Sequence, residues 1–282
     1  MTLKELIEHI KNTNPTIQEL REIEDLLGFY LKLSWSQIKM KGDQVLSAEQ
    51  RNLIMKAVER LALGEPLAHI TGTKFFYKSE FYVSPDVLIP RPETEILVEQ
   101  ALQRVPKQGA FQIMDLGAGS GCIGLSIAKE RPCTNVHLIE ASRGALIVAQ
   151  KNQENLGLRQ VQCIHGTVGD CAFKLEHLRE QIDLIVANPP YIAKGDPRVE
   201  RRVHHFEPHQ ALYADNQGLM WIHKWLIWGY DYLKPGGVFI FEFGQDQERA
   251  ILPLLEKMAY TTPSLVKDYA AINRFMIVHK KG

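Results

Sequence analysis

Phe111-Gln-Ile-Met-Asp115-Leu-Gly117-Ala-Gly119-Ser-Gly121-Cys-Ile-Gly124 runs from a short apolar strand, through spaced glycines, into the start of a helix. Glycines in that place allow positive φ and bring backbone N–H groups to a ligand at a helix N-terminus. The chain on either side keeps the same rhythm. Strands are expected at Phe111–Met114, Val136–Ile139, Val161–Ile164, Ile182–Ala187, Val238–Phe243 and Arg274–Val278. Between them, helices are expected at Ile123–Lys129, Ala141–Leu156, Leu219–Leu233 and Gln247–Met258. Alternation of this kind predicts a doubly wound α/β sheet. Trp221, Trp225 and Trp228 lie one turn apart on the longest helix, and that spacing predicts a core stripe.

Gly119-x-Gly121-x-x-Gly124, with Glu140 about twenty residues further on, satisfies the dinucleotide fingerprint. Taken alone it favours a nicotinamide enzyme. Asp115, two residues before the first glycine, is suited to anchoring the loop or, through water, a cationic amino acid headgroup. Glu140 offers two acceptor oxygens to the hydroxyls of a ribose in either case.

The fourth strand ends in Asn188-Pro189-Pro190-Tyr191. Two prolines cannot continue a ladder, and the first holds Asn188 out of the helical region. A bare Asn-Pro is most often a turn. Here the stiff loop also presents a planar amide, a free Pro189 carbonyl and an aromatic ring, which together suit a clamp for a planar NH2 group. Asn188, Pro189 and Tyr191 are the expected catalytic residues. The substrate-binding set adds Pro190.

Composition narrows the classes. Lys+Arg and Asp+Glu both count 33 in 282 residues, so no basic excess marks a dedicated nucleic-acid binder. No apolar run reaches membrane-spanning length, and Met1–Glu8 reads as an amphipathic helix, not a signal peptide. Four cysteines without C-x-x-C pairs or a His cluster point to reduced, mostly buried thiols and no metal site. Residues 1 to about 65 show helical periodicity, with Ser47 and Gln50 forming a capping box. Their acids and bases nearly balance, so this bundle is either a reader of a protein partner or a structural cap. Phe75-Phe76-Tyr77 and Glu80–Val83 around Lys78-Ser79 predict a hairpin between two domains. Arg198–His205 is locally basic and is expected either as a mobile flap over the substrate, the reading preferred, or as a solvated helix.

With these residues in place, the Asp115–Gly121 loop, Glu140 and Asn188-Pro-Pro-Tyr191 resemble class I S-adenosylmethionine-dependent methyltransferases acting on amino groups. More narrowly, four further stretches resemble the PrmC/HemK family of protein-(glutamine-N5) methyltransferases. They are Gly64-x-Pro66-x-x-His69-Ile70-x-Gly72, Leu88-Ile-Pro-Arg-Pro-Glu-Thr-Glu95, Phe206-Glu-Pro208 with Ala211-Leu212, and Asp268-Tyr269 with Arg274. The resemblance implies a Rossmann-like sheet preceded by a small helical domain. It implies a helical, substrate-recognising domain at 1–68, a hairpin linker at 69–89 and a methyltransferase domain at 90–282. It also implies S-adenosyl-L-methionine as cofactor, held by Gly117, Ala118, Gly119, Ser120, Gly121, Glu140, Val168 and Asn188. The implied substrate is the Gly-Gly-Gln glutamine of class-1 peptide chain release factors, in the cytoplasm, without direct contact to nucleic acid or membrane. The Asn-Pro-Pro-Tyr motif is shared with adenine-N6 and some guanine-N2 methyltransferases, so another planar amino group is the alternative. Three positions depart from the family pattern: His69 stands for a common Tyr, Glu140 for a frequent Asp, and Thr167-Val168 for an acid and a large apolar residue.

Overall fold

The computed structural model describes residues 1–282 apart from Gln18, Val168 and the side chain of Ala172. Two compact units divide the chain. One is Met1–Thr73 with Arg201–Phe206, and the other is Lys74–Glu200 with Glu207–Gly282.

The first unit holds α1 (Leu3–Thr13), α2 (Leu20–Leu31), α3 (Trp35–Met40), α4 (Ala48–Ala62) and α5 (Leu67–Thr71). Three of these begin with a capping box, Thr2 with Glu5, Ser34 with Gln37 and Ser47 with Gln50, so orphan N–H groups are satisfied before any packing. Leu3, Leu6 and Ile10 from α1 meet Ile23, Leu26 and Leu27 from α2 and Ile54, Ala57 and Val58 from α4 in one apolar core.

The second unit begins within a hairpin, β1 (Thr73–Phe76, whose first residue belongs to the first unit) and β2 (Ser79–Tyr82), turned at Tyr77 with φ +55°. There follow α6 (Glu95–Arg104), β3 (Gln112–Leu116), α7 (Cys122–Glu130), β4 (Asn135–Glu140), α8 (Arg143–Leu156), β5 (Val161–His165), α9 (Ala172–Leu175) and β6 (Ile182–Ala187). After β6 come β7 (Ile192–Ala193), α10 (Arg201–Phe206, part of the first unit), α11 (His209–Leu212) and β8 (Tyr213–Ala214). The chain ends with α12 (Met220–Tyr232), β9 (Leu233–Glu242), α13 (Glu248–Lys257), β10 (Ser264–Lys267) and β11 (Asn273–His279).

The central sheet has seven strands in the order β10-β11-β9-β6-β3-β4-β5. β5, β4, β3, β6 and β9 run parallel, and β11 is antiparallel to both neighbours. Alternate strand residues face two cores. Met114, Ile185, Phe239 and Phe241 pack with Trp225 and Leu226 of α12, whereas Ile113, Leu184, Val186 and Ile240 pack with Leu97 of α6 and Leu125 of α7. Burial on both faces is why these strands read as nearly unbroken apolar runs. The edge strand β10, mostly exposed, gave no such run and no expectation.

Register positions everything that follows. Leu116 lies opposite Ile139 on one side and Ala187 on the other, and Ala187 lies opposite Phe241. The next residues of the four parallel strands, Gly117, Glu140, Asn188 and Glu242, therefore stand side by side at the C-terminal edge of the sheet. Open α/β sheets place ligands at that edge. All four cysteines are free, with Cys122 and Cys171 buried, Cys163 partly so and Cys133 exposed.

Candidate active site

The backbone of the glycine loop bends back over the edge of the sheet. Gly117 and Ala118 both donate N–H to the carbonyl of Ile139, at 2.9 and 3.1 Å, and Gly121 closes the turn onto Ala118 at 2.7 Å. Gly117, Gly119 and Gly121 all have positive φ. Asp115 is fully buried, and its Oδ2 accepts from the Gly124 N–H at 2.9 Å. This carboxyl anchors the start of α7; of the two roles open to it from sequence, the loop anchor is the one its burial supports. Burial, partly offset by the Gly124 N–H and reinforced by the charge of Glu140, pushes its pKa up to about 7.

Glu140 ends β4 with its Oε2 accepting from Gly119 N–H at 2.8 Å and its Oε1 from Ser142 N–H at 2.7 Å. Burial raises its pKa, and these N–H donors oppose the shift. A carboxylate accepts at both oxygens and can take about four bonds, so with the Ala141 N–H also bonded Glu140 still has acceptor capacity to spare.

A cavity of about 220 Å³ lies beside these groups, lined by Gly117–Ser120, Glu140, Ala141, Gly166, Thr167, Asn188 and Pro190 among others. A Cβ built on Gly119 meets no protein atom within 4 Å, so the space it would enter belongs to the cavity. The adjacent acceptors on Glu140 and the open face of Gly119 fit the ribose and the backbone-hugging portion of S-adenosylmethionine. Pro189 is buried, and neither it nor Tyr191 lines the cavity. Gly121 also stays off the wall: it is the N-cap of α7, and a Cβ there would press on Leu125 and Leu138. Val168 lies outside the described residues. Thr167 does line the cavity, but its hydroxyl donates to Asp170 at 2.7 Å.

The tryptophan expectation changes. Trp228 stacks on Tyr232, in keeping with a core stripe, but Trp221 and Trp225 also form cavity wall. The Trp225 ring lies so close to Gly117 that a Cβ there would come within 2.5 Å of it. Helical spacing alone could not separate these roles, because the helix covers both the core and the end of the sheet. The basic segment expected as a flap is, in its second half, helix α10, where Arg202 pairs with Glu22 at 2.7 Å and donates to the Glu65 carbonyl at 3.0 Å.

Around Asn188 is a buried polar network that sequence reading missed. Asn188 Nδ2 donates to Thr94 Oγ1 at 3.3 Å, and Thr94 donates to Glu242 Oε2 at 2.8 Å. The Tyr191 hydroxyl donates to Glu242 Oε1 at 2.8 Å. Gln247 holds the other end of the same tyrosine, donating to its carbonyl at 2.8 Å. Glu242 is 3% exposed. Burial raises its pKa, while Thr94, Tyr191 and the charge of Arg274 pull it back. Burial and then Glu242 hold the Tyr191 phenol well above its usual pKa, so it remains an O–H donor. The one signal for Glu242 in the sequence is an acid inside Val238-Phe-Ile-Phe-Glu-Phe243, where a buried charge needs partners.

The Leu88–Glu95 block now has a physical account. Arg91 pairs with buried Glu207 at 2.5 Å, Glu207 also accepts from Ile89 N–H at 3.0 Å, and Glu95 accepts from Tyr77 N–H at 2.9 Å. Together with Thr94, the block ties the hairpin and the 207–211 return segment to the Asn188 loop.

A "PrmC N-terminal domain" family model matches residues 5–72 and a "Methyltransferase small domain" model matches residues 93–222. A release factor glutamine methyltransferase from Burkholderia pseudomallei is 38% identical over 252 residues, 88% of each chain. Another, from Koribacter versatilis, is 33% identical over 285 residues, 99% of each chain. A methyltransferase structure from Pyrococcus furiosus superposes with TM-score 0.50 at 16% identity, over 84% of this chain and all of that one, and so shares the class I methyltransferase fold. Among the described residues, no helix is long and apolar enough to cross a membrane. With relatives this similar across nearly its whole length, the chain belongs to the release factor glutamine methyltransferase family.

Proposed function

We propose that this protein transfers a methyl group from S-adenosylmethionine to the side-chain amide nitrogen of the glutamine in the Gly-Gly-Gln motif of class-1 peptide chain release factors, in the cytoplasm. The cofactor supplies an electrophilic methyl group on a sulfonium. An amide nitrogen is a poor nucleophile, because its lone pair is delocalised into the carbonyl. The chain's task is therefore to hold that nitrogen in line with the methyl group, and positioning of this kind lowers barriers by several kcal/mol.

The observation that carries this reading is the orientation of Asn188. Its nitrogen is turned to Thr94, which leaves its oxygen free on a residue that lines the cavity. That oxygen accepts one hydrogen of the glutamine NH2, and the carbonyl of Pro189, a buried residue beside the cavity and not in its wall, accepts the other as the substrate seats against the loop. Both stabilise positive charge as it develops on the nitrogen. Tyr191, fixed at its hydroxyl and its carbonyl, packs its ring beside them. Pro190 completes the substrate wall. Glu140 takes the ribose hydroxyls, and Gly117–Ser120 border the cofactor, with Gly121 shaping the loop. The helical region at residues 1–68, which lies within the first compact unit, serves as the substrate-recognising domain.

Incubation with labelled S-adenosylmethionine and a release factor, duplex DNA or ribosomal subunits tests the assignment. Label is expected on the release factor glutamine. Label on DNA or ribosomal subunits alone would overturn it.

A further inference from the structure

We propose that Thr94 and Glu242 are positioning residues that set which end of the Asn188 amide faces the substrate. The inference rests on the reading above, in which the substrate presents a planar NH2.

The argument is a count of hydrogens. Thr94 has one hydroxyl hydrogen, and it is given to Glu242 Oε2 at 2.8 Å. Tyr191 also has one, given to Glu242 Oε1 at 2.8 Å. Thr94 Oγ1 can therefore only accept from its remaining neighbour, so the Asn188 atom at 3.3 Å must be the donor, Nδ2. A carboxamide has two ends. With its nitrogen held by Thr94, its oxygen is left for the substrate. Rotated by half a turn, the same side chain would set N–H against the N–H of glutamine, and the clamp would repel what it has to hold.

The carboxylate is what gives the chain of bonds its direction. A carboxylate only accepts, so both hydroxyls must point at it and neither can point at Asn188. Thr94 reaches it from the segment before α6 and Tyr191 from the loop after β6. Glu242 itself is brought to Asn188 by the pairing of β6 with β9. One buried group thus orients both the amide and the aromatic ring of the Asn188–Tyr191 loop. An amide in place of Glu242 would add a donor. Either hydroxyl could then turn its hydrogen elsewhere, and Thr94 could hold the Asn188 oxygen instead.

Three near-isosteric variants separate this role from simple support of the fold. Thr94→Val removes the hydroxyl, Thr94→Ser keeps it, and Glu242→Gln keeps shape but adds a donor. Turnover on the release factor is expected to fall about 100-fold in Thr94→Val and Glu242→Gln, the scale of a misplaced reacting group. Thr94→Ser is expected to stay within a few-fold of the wild type; S-adenosylmethionine affinity measured by calorimetry is expected to be unchanged in Glu242→Gln and to shift no more than a few-fold in the Thr94 variants, because Thr94 also borders the cavity. Solvent exchange of the Asn188 side-chain NH2, followed by nitrogen-edited NMR without substrate, supplies a second readout. Protection in the wild type and Thr94→Ser, with about tenfold faster exchange in Thr94→Val, is expected from the loss of one hydrogen bond. Thr94→Val with near wild-type turnover or exchange, or Thr94→Ser as impaired as Thr94→Val, overturns the proposal. So does a parallel loss of cofactor binding. Should Glu242→Gln fail to fold, the two Thr94 variants decide. A wild-type enzyme that does not label release factor would overturn the substrate assignment, while the NMR measurement still decides the network.

Discussion

Asp115 shows how much one buried carboxyl can contribute to the pH response of the molecule. Its pKa in the folded protein is about 7 against an ordinary 3.8, through burial against a single N–H donor and beside Glu140. Between these values the folded state keeps a proton that the unfolded chain has released. Stability from this group is therefore highest at acid pH and falls as pH rises through about 7, by at most about 4 kcal/mol. Asp115→Asn cannot ionise and should remove that slope. Thermal melts of both proteins from about pH 5 to about pH 8 are expected to show the wild type losing stability relative to the variant as pH rises. A constant difference between them would mean that the carboxyl ionises at its ordinary pKa. Sequence reading ended the first strand at Met114, whereas β3 runs on to Leu116 and holds Asp115 within the ladder, and it left the role of Asp115 open. Its burial depends on α7 closing over it, which no local pattern encodes.

At the scale of elements, the glycine loop allows two backbone requirements to be told apart. Gly117 has φ +69° and faces the Trp225 ring, whereas Gly119 has φ +56° and faces open space. A side chain at either position pays the left-handed penalty of roughly 1–2 kcal/mol. Only at Gly117 does it also collide with a packed helix. Gly117→Ala is expected to lower the melting temperature and cofactor affinity together. Gly119→Ala should cost little more than the backbone term but lower cofactor affinity, because its methyl enters the cavity. Calorimetry with thermal denaturation checks both, and equal destabilisation by the two would refute the distinction. The glycine loop and the strand end at Asn188-Pro-Pro were legible because glycine spacing and a Pro-Pro after a strand are local chemistry. Thr94 and Glu242 were not, since 148 residues separate them and only the β6–β9 register brings the second to Asn188. The same limit hid the cavity-facing tryptophans. Their periodicity announced a buried helix face, but what lay opposite that face depended on strand order.

The whole molecule has a path that its domain pattern did not predict. The chain leaves the sheet-bearing unit after Glu200, forms α10 within the helical unit, and returns at Glu207. On its return, Glu207 is at once fixed by Arg91 and the Ile89 N–H, and Gln210 and Ala211 then line the cavity. Residues 192–200 connect the Asn188–Tyr191 loop to α10 along the chain. α10 has no buried residue of its own, so few apolar contacts hold it. Arg202 is one of its anchors, spanning Glu22 of α2 and the Glu65 carbonyl. Both partners of the ion pair are partly buried, with side chains 32% and 23% exposed, so their bond is less weakened by solvent than an open surface pair. Glu22→Ala removes the acceptor while leaving the basic segment intact as a protease target. Opening of α10 should become easier by about 1 kcal/mol, and tryptic cleavage after Arg198 and Arg201 faster by about five- to tenfold where cleavage follows the open population. Melting of the whole protein should change much less, because the helical core of Leu3, Leu26 and Ile54 does not depend on this pair. Unchanged cleavage would show that α10 is held by something other than Arg202. A matched rise in cleavage at sites throughout the chain would show that Glu22 supports the entire fold.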